Sequence, residues 1–196
     1  MKAGRIRIFA VAMVFGGALG FARLSAGQLD ASTSVQMQPS GDQGAKNAAS
    51  APVFERKFVQ KAIESSLGDI AMARLALEKS TDADVRHFAI QETDDHGKIL
   101  DDLKQVAQQL KMTPPDAPSK SAQKDLEKLK GLSGHAFDQA FLKETVKSHK
   151  EEDRSYKDEG RATTSPQLKK LISQEDQILG NHLQQAEQLA QTNGKE

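Results

Sequence analysis

The stretch DVRHFAIQETDDHGKILDDLKQVAQQL, residues 84–110, places apolar side chains at Val85, Phe88, Ala89, Ile99, Leu100, Leu103, Val106 and Leu110. That is the three-and-four spacing of a helix that buries one face. Glu92 and His96, four residues apart, bracket the middle of the same stripe. At about 100° per residue both turn toward the interior, where carboxylates are almost never left unpaired. His87 points the other way. The segment therefore predicts a helix over roughly 83–111 that carries ionisable groups into a core.

The same periodicity extends in both directions. A preceding helix over about 53–79 has Phe54, Phe58, Ala62, Ile70, Ala73 and Leu77 on one stripe, and Ser80-Thr81-Asp82 separates it from the next. Thr113-Pro114-Pro115 ends the 83–111 helix, because proline lacks the amide hydrogen and clashes with the preceding turn. A short helix over 120–130 is expected to carry Leu126 and Leu129 across the bundle end. A third long helix, about 135–160, opens at Ser133-Gly134 and is expected to stop at Gly160. The fourth starts near Ser165-Pro166, with proline in a first-turn position it tolerates. It runs to about 192 through Leu168, Leu171, Ile172, Leu179, Leu183, Ala186 and Leu189. Four long helices, short turns and one longer connection predict an all-α antiparallel four-helix bundle with a short extra helix between the second and third.

Five further polar groups fall on inward faces. Asp69 lies between Phe58 and Ala62 in projection. The third helix turns Phe141, Thr145, His149, Glu152 and Tyr156 inward, and the fourth aligns Glu175 with Leu179 and His182. Folding each helix pair about its turn brings Asp69 level with Glu92 and Glu152 level with Glu175. The expectation is a layer of four carboxylates beside a layer of three histidines. His87 and His135 fall outside it, and Asp94-Asp95 reads as a solvated edge, with the alternative that either carboxylate supports a ligand from behind.

The termini and composition bound the rest. Of 196 residues, the first 26 read as an export signal: Lys2, Arg5 and Arg7 precede the apolar run 8–22, with small residues around Ser25-Ala26-Gly27. That run is shorter than the roughly 20 residues a spanning helix needs, so cleavage is expected, and membrane contact only if the leader is retained. Residues 27–52 are rich in Gln, Ser, Ala and Gly and read as a disordered linker. The bundle domain is then 53–192, with a tail at 193–196. Lysine plus arginine equals aspartate plus glutamate at 27 each, which argues against a nucleic-acid partner. There is no cysteine, hence no disulfide framework, and no tryptophan for stacking on bases or sugars.

The stretches 58–80, 84–103, 133–159 and 168–189, with their Asp94-Asp95-His96, the histidine at 149 after Phe137–Phe141, and the late histidine at 182, resemble the bacterial domain-of-unknown-function family 4142. The resemblance covers essentially all of 54–192. It implies an exported, periplasmic or envelope protein with a ferritin-like four-helix bundle, often labelled an outer-membrane protein, and it implies no agreed activity. Glu92 stands where the family leads one to expect an apolar residue, and Gln177 where a proline is common.

Two readings of the buried groups remain open. One is a transition-metal site for Fe, Mn or Zn, drawn from His96, His149, His182, Asp69, Glu92, Glu152 and Glu175, since imidazole and carboxylate together suit first-row ions. Ferritin-like di-metal bundles take one Glu from each of two helices and a Glu-x-x-His pair from each of the others. This chain has the residue types but not that spacing. The other reading is a polar network that only fixes helix register in a structural or interaction protein of the envelope; histidines titrating near 6.5 would make it sensitive to mild acid. Neither assigns a reaction, and a non-enzymatic role is expected.

Overall fold

A computed structural model describes residues 43–194, with side chains from Val53 onward. The expected leader (1–26) and residues 27–42 of the expected linker lie outside the described residues. Among the described residues there are five helices and no strand: α1 (Gln43–Lys79), α2 (Ala83–Gln109), α3 (Lys120–Lys130), α4 (Gly134–Ala162) and α5 (Pro166–Asn193). They form a helical bundle in which α1 packs chiefly on α2 and α4 chiefly on α5, with narrower α1–α4 and α2–α5 contacts joining the pairs. No helix among the described residues is long and apolar enough to cross a membrane.

Local chemistry explains most boundaries. The Asp82 carboxylate accepts from the backbone N–H groups of Asp84 and Val85 at 2.8 and 2.9 Å, capping α2. Ser119 and Ser165 cap α3 and α5 through Ala122 N and Leu168 N. Gly134 opens α4 at φ 55°, a conformation that costs glycine little.

Four expectations are corrected. α1 begins at Gln43 rather than 53, so residues 43–52 of the expected linker have helical backbone; Ala45, Ala48, Ala49 and Ala51 are strong helix formers. Gly160 does not stop α4, which continues to Ala162. A Cβ at Gly160 would stand 3.3 Å from Ile172 Cγ2, so the glycine serves close approach of α5 rather than termination. Phe54, expected on the buried stripe, is 65 % exposed, because the apolar packing of α1 starts at Phe58. Finally, α3 does not cross the bundle end. It lies along α1 and α4: a Cβ at Gly68 would meet Ala122 Cβ at 2.9 Å, and Lys79 donates to the carbonyls of Lys130 and Leu132. The chain leaves α2 at one end and starts α4 at the other, so this segment must travel the bundle's length.

The interior divides into two apolar clusters. One holds Phe58 to Ile70 of α1, Ile99 to Ala107 of α2, Tyr156 of α4 and Leu168 to Leu179 of α5. The other holds Met72 to Ala76, Val85 to Ala89, Phe137 to Leu142 and Ala186, closed by Leu129 of α3. On every long helix the switch between clusters falls at or beside an ionisable residue: Asp69, Glu92 and His96, His149 and Glu152, or His182. A polar slice therefore separates two dry layers.

Candidate metal centre

Glu92, Asp95 and His96 share a face of α2 through their three- and four-residue spacing. Opposite them, α4 brings His149 and Glu152, α5 brings His182 and α1 brings Asp69. Glu92, His96, His149 and His182 are each no more than 3 % exposed. Their rings form a triangle with centroids 5.2, 5.6 and 5.7 Å apart.

The nitrogens converge on one carboxylate. Glu92 Oε1 lies 3.0 Å from His182 Nδ1 and 3.3 Å from His149 Nε2, and Glu92 Oε2 lies 3.3 Å from His96 Nε2. His96 Nε2 and His149 Nε2 are themselves 3.3 Å apart. One donor atom from each of the four residues falls within 4.8 Å of all the others. A tetrahedral ion with bonds of about 2.0–2.1 Å sets its ligand atoms roughly 3.3–3.4 Å apart, close to the separations of His149 Nε2 from Glu92 Oε1 and from His96 Nε2; the remaining donor pairs lie within 4.8 Å. Glu92 Oε1 and His182 Nδ1 have no hydrogen-bond partner despite their closeness. Lone pairs that approach without hydrogen-bond direction suit co-ligands of one cation. The donor set, three imidazoles and a carboxylate, fits first-row metals.

One ring nitrogen that faces away from this point is held as well: His182 Nε2 lies 3.3 Å from Asp95 Oδ2, whereas His149 Nδ1, 3.7 Å from Glu152 Oε2, makes no hydrogen bond. A carboxylate on the far nitrogen fixes tautomer and ring orientation and raises basicity. Asp95 stays at a partly solvated edge, 32 % exposed, where it also pairs with Lys98 at 2.9 Å. Its position one residue before His96, on a helix already facing inward, was the available signal.

The electrostatics pair opposite charges within the group. Burial would raise the Glu92 carboxyl, but His149 foremost, with His182 and His96, holds it well below the usual range. Burial alone would lower His149, yet Glu92, Glu152 and Asp69 push it up to about 10. Beside this group, Asp69, His96 and Glu152 form a second set with donor atoms within 4.8 Å of one another. Burial and the neighbouring Asp69 carboxylate push Glu152 well up.

Glu175 is the exception among the seven expected residues. It joins neither set and sits in the aliphatic cluster near Tyr156, with neither oxygen hydrogen-bonded. Burial pushes its carboxyl up to about 8, which the nearby Tyr156 hydroxyl offsets only in part. The expected layer of four carboxylates is likewise replaced by a different grouping. Glu92 joins the histidines, while Asp69 and Glu152 face each other across α1 and α4. A four-residue step on α2 is only about 6 Å of rise, which the long Glu92 side chain spans to reach His96. His87 and His135 are exposed, as expected.

A family model described as Domain of unknown function (DUF4142) matches residues 38–189. No curated protein matches the chain. Among solved structures, a DUF305 fragment from Deinococcus radiodurans is similar, with a TM-score of 0.58 at 15% identity, over 73% of this chain and 97% of that one. At that identity the likeness bears on fold alone.

Proposed function

The chain belongs to the DUF4142 family, and from that premise we propose that it is an exported, non-enzymatic metal-binding bundle whose ion is held by Glu92, His96, His149 and His182. The observation that carries this reading is the convergence of three imidazole nitrogens, from three helices, on the two oxygens of buried Glu92 at 3.0–3.3 Å. All four positions of a tetrahedral ion are then filled by protein in a sealed interior. Closed coordination of this kind belongs to structural sites, whereas catalytic ones keep an open position. The ion would join α2 to α4 and α5.

The reading includes an antiparallel, ferritin-like arrangement of α1, α2, α4 and α5. Its support is the order of contacts: Glu55 meets Thr163, Asp69 meets Ser148 and Lys79 meets Leu132, so numbers rise on one partner as they fall on the other. It also includes cleavage of residues 1–26 and residence in the periplasm or envelope, resting on the basic-then-apolar pattern at the start of the sequence. N-terminal sequencing of protein recovered from the envelope tests that part.

Metal analysis of untagged full-length protein tests the centre. One equivalent of Zn, Fe or Mn per chain, lost in His149→Ala, is expected. One observation favours a second reading, a metal-free register network. His96 Nε2 and His149 Nε2 lie within hydrogen-bond reach, and a protonated His149 between Glu92 and Glu152 satisfies the local charge. Metal-free protein whose melting is unchanged by added ions would establish that reading and remove the first.

A further inference from the structure

A cleft of about 380 Å³ opens between α1, α3 and α4, and its floor reaches the polar slice at Asp69 and Glu152. Six carboxyl side chains line it against two lysines, Lys61 and Lys147. Lys147 is already paired with Glu144 at 3.3 Å and Asp125 at 3.5 Å. The cleft therefore offers a negative surface to whatever enters from solvent.

Acidity by itself assigns nothing, but the floor is built. Asp69 is 2 % exposed and Glu152 7 % exposed. Ser148 Oγ donates to Asp69 Oδ1 at 2.9 Å, fixing that side chain and leaving Oδ2 without a partner. Glu152 Oε2 is also without one. Two buried carboxylates thus face each other with a free oxygen apiece, and a His96 ring nitrogen completes a set within 4.8 Å. Like charges held this close need a cation or a shared proton between them.

We infer that the floor of the α1–α3–α4 cleft is a second cation site, in which Asp69 and Glu152 hold an exchangeable hard divalent ion that keeps water ligands on its cleft side, with His96 joining as a bridging imidazolate that has released its ring proton to solvent. The inference rests on the metal reading of the inner group through the shared His96. The two sites differ in chemistry. Three imidazoles and a sealed interior select a borderline ion such as Zn²⁺, whereas oxygen ligands with room for water suit Mn²⁺, Mg²⁺ or Ca²⁺.

The test is a titration of metal-depleted, untagged full-length protein, first with one equivalent of Zn²⁺ and then with Mn²⁺. Free Mn²⁺ is counted by electron paramagnetic resonance and bound Mn²⁺ by its effect on water proton relaxation. One Mn²⁺ per chain is expected beyond the zinc, with enhanced relaxation because its water exchanges through the cleft. Asp69→Asn and Glu152→Gln, which keep side-chain shape, should each weaken Mn²⁺ roughly tenfold or more while the zinc stays bound. His182→Ala should do the reverse. Zinc binding that depends on His182, with no Mn²⁺ response to either carboxylate variant, overturns this inference and leaves the inner centre standing. Mn²⁺ that depends on Asp69 without any tight zinc overturns the inner centre and supports the outer site. Protein that binds neither ion overturns both. The relaxation signal of the unmodified chain decides the matter even where a variant fails to fold: bound Mn²⁺ with no enhancement is buried away from the cleft.

Discussion

Glu92 and Glu175 are the same residue type on adjoining helices, 1 % and 3 % exposed. Their carboxyl groups nonetheless shift in opposite directions. Glu92 is held well below its usual range by three imidazoles, whereas Glu175 is pushed up to about 8. Burial is common to both and raises both; the partners differ. Glu92 lies in the slice between the apolar clusters, where α4 and α5 deliver bases, and Glu175 lies within the aliphatic cluster among Ile172, Leu179 and Tyr156. A buried acid becomes a ligand or a burden according to what the opposite helices present.

The largest effect is expected from breaking the favourable side. In the metal-free protein Glu92→Ala leaves His149 without its main partner, and removing one member of a buried ion pair costs about 3–5 kcal/mol. Urea unfolding of metal-free protein should show that loss, and zinc binding measured separately should weaken. An unfolding midpoint within error of the unmodified protein would mean that the slice is not coupled as described.

Glu175 should give the next largest effect, with a pH signature. In the folded chain it keeps its proton up to about pH 8, against the usual 4.5 of a glutamate in the unfolded chain. Between those values the native state binds the extra proton, so its contribution to stability is full below about pH 4.5 and is lost as pH rises through about 8. The loss is on the order of a few kcal/mol at most. Glu175→Gln should flatten this fall in urea unfolding measured from pH 5 to 8. A variant that retains the full slope would assign it to another group.

Two smaller changes sharpen the contrast from either side. Asp95→Asn replaces the carboxylate on His182 Nε2 by an amide, and loss of such a partner typically weakens a metal roughly 10- to 100-fold. Competition with a chromophoric chelator measures that. Tyr156→Phe removes a hydroxyl close to Glu175, so the Glu175 carboxyl should titrate at still higher pH by carbon-13 NMR, with stability lowered by about 1 kcal/mol.

The helices were legible in the sequence because period and punctuation agree: the 84–110 stripe, Asp82, Thr113-Pro114-Pro115 and Ser165-Pro166 all say the same thing. The inward turn of Asp69, His96, His149, Glu152 and His182 was equally legible, since the side of a helix follows from spacing. Height across the bundle was not. Each turn fixes the level within its own helix pair, but the offset between pairs depends on the 110–133 connection, whose path follows from the Gly68–Ala122 approach and the Lys79 contacts rather than from any local signal. Glu92 was therefore placed among carboxylates instead of histidines, and Glu175 in a site it does not join. The partner of Asp95 likewise depends on that offset, since it arrives from α5, 87 residues along the chain.

The two helix pairs each supply half of the inner donors, Glu92 and His96 from the first hairpin, His149 and His182 from the second. Neither pair alone offers four donors, so under the proposed function full coordination requires both pairs docked, and a bound ion would act as a latch between them.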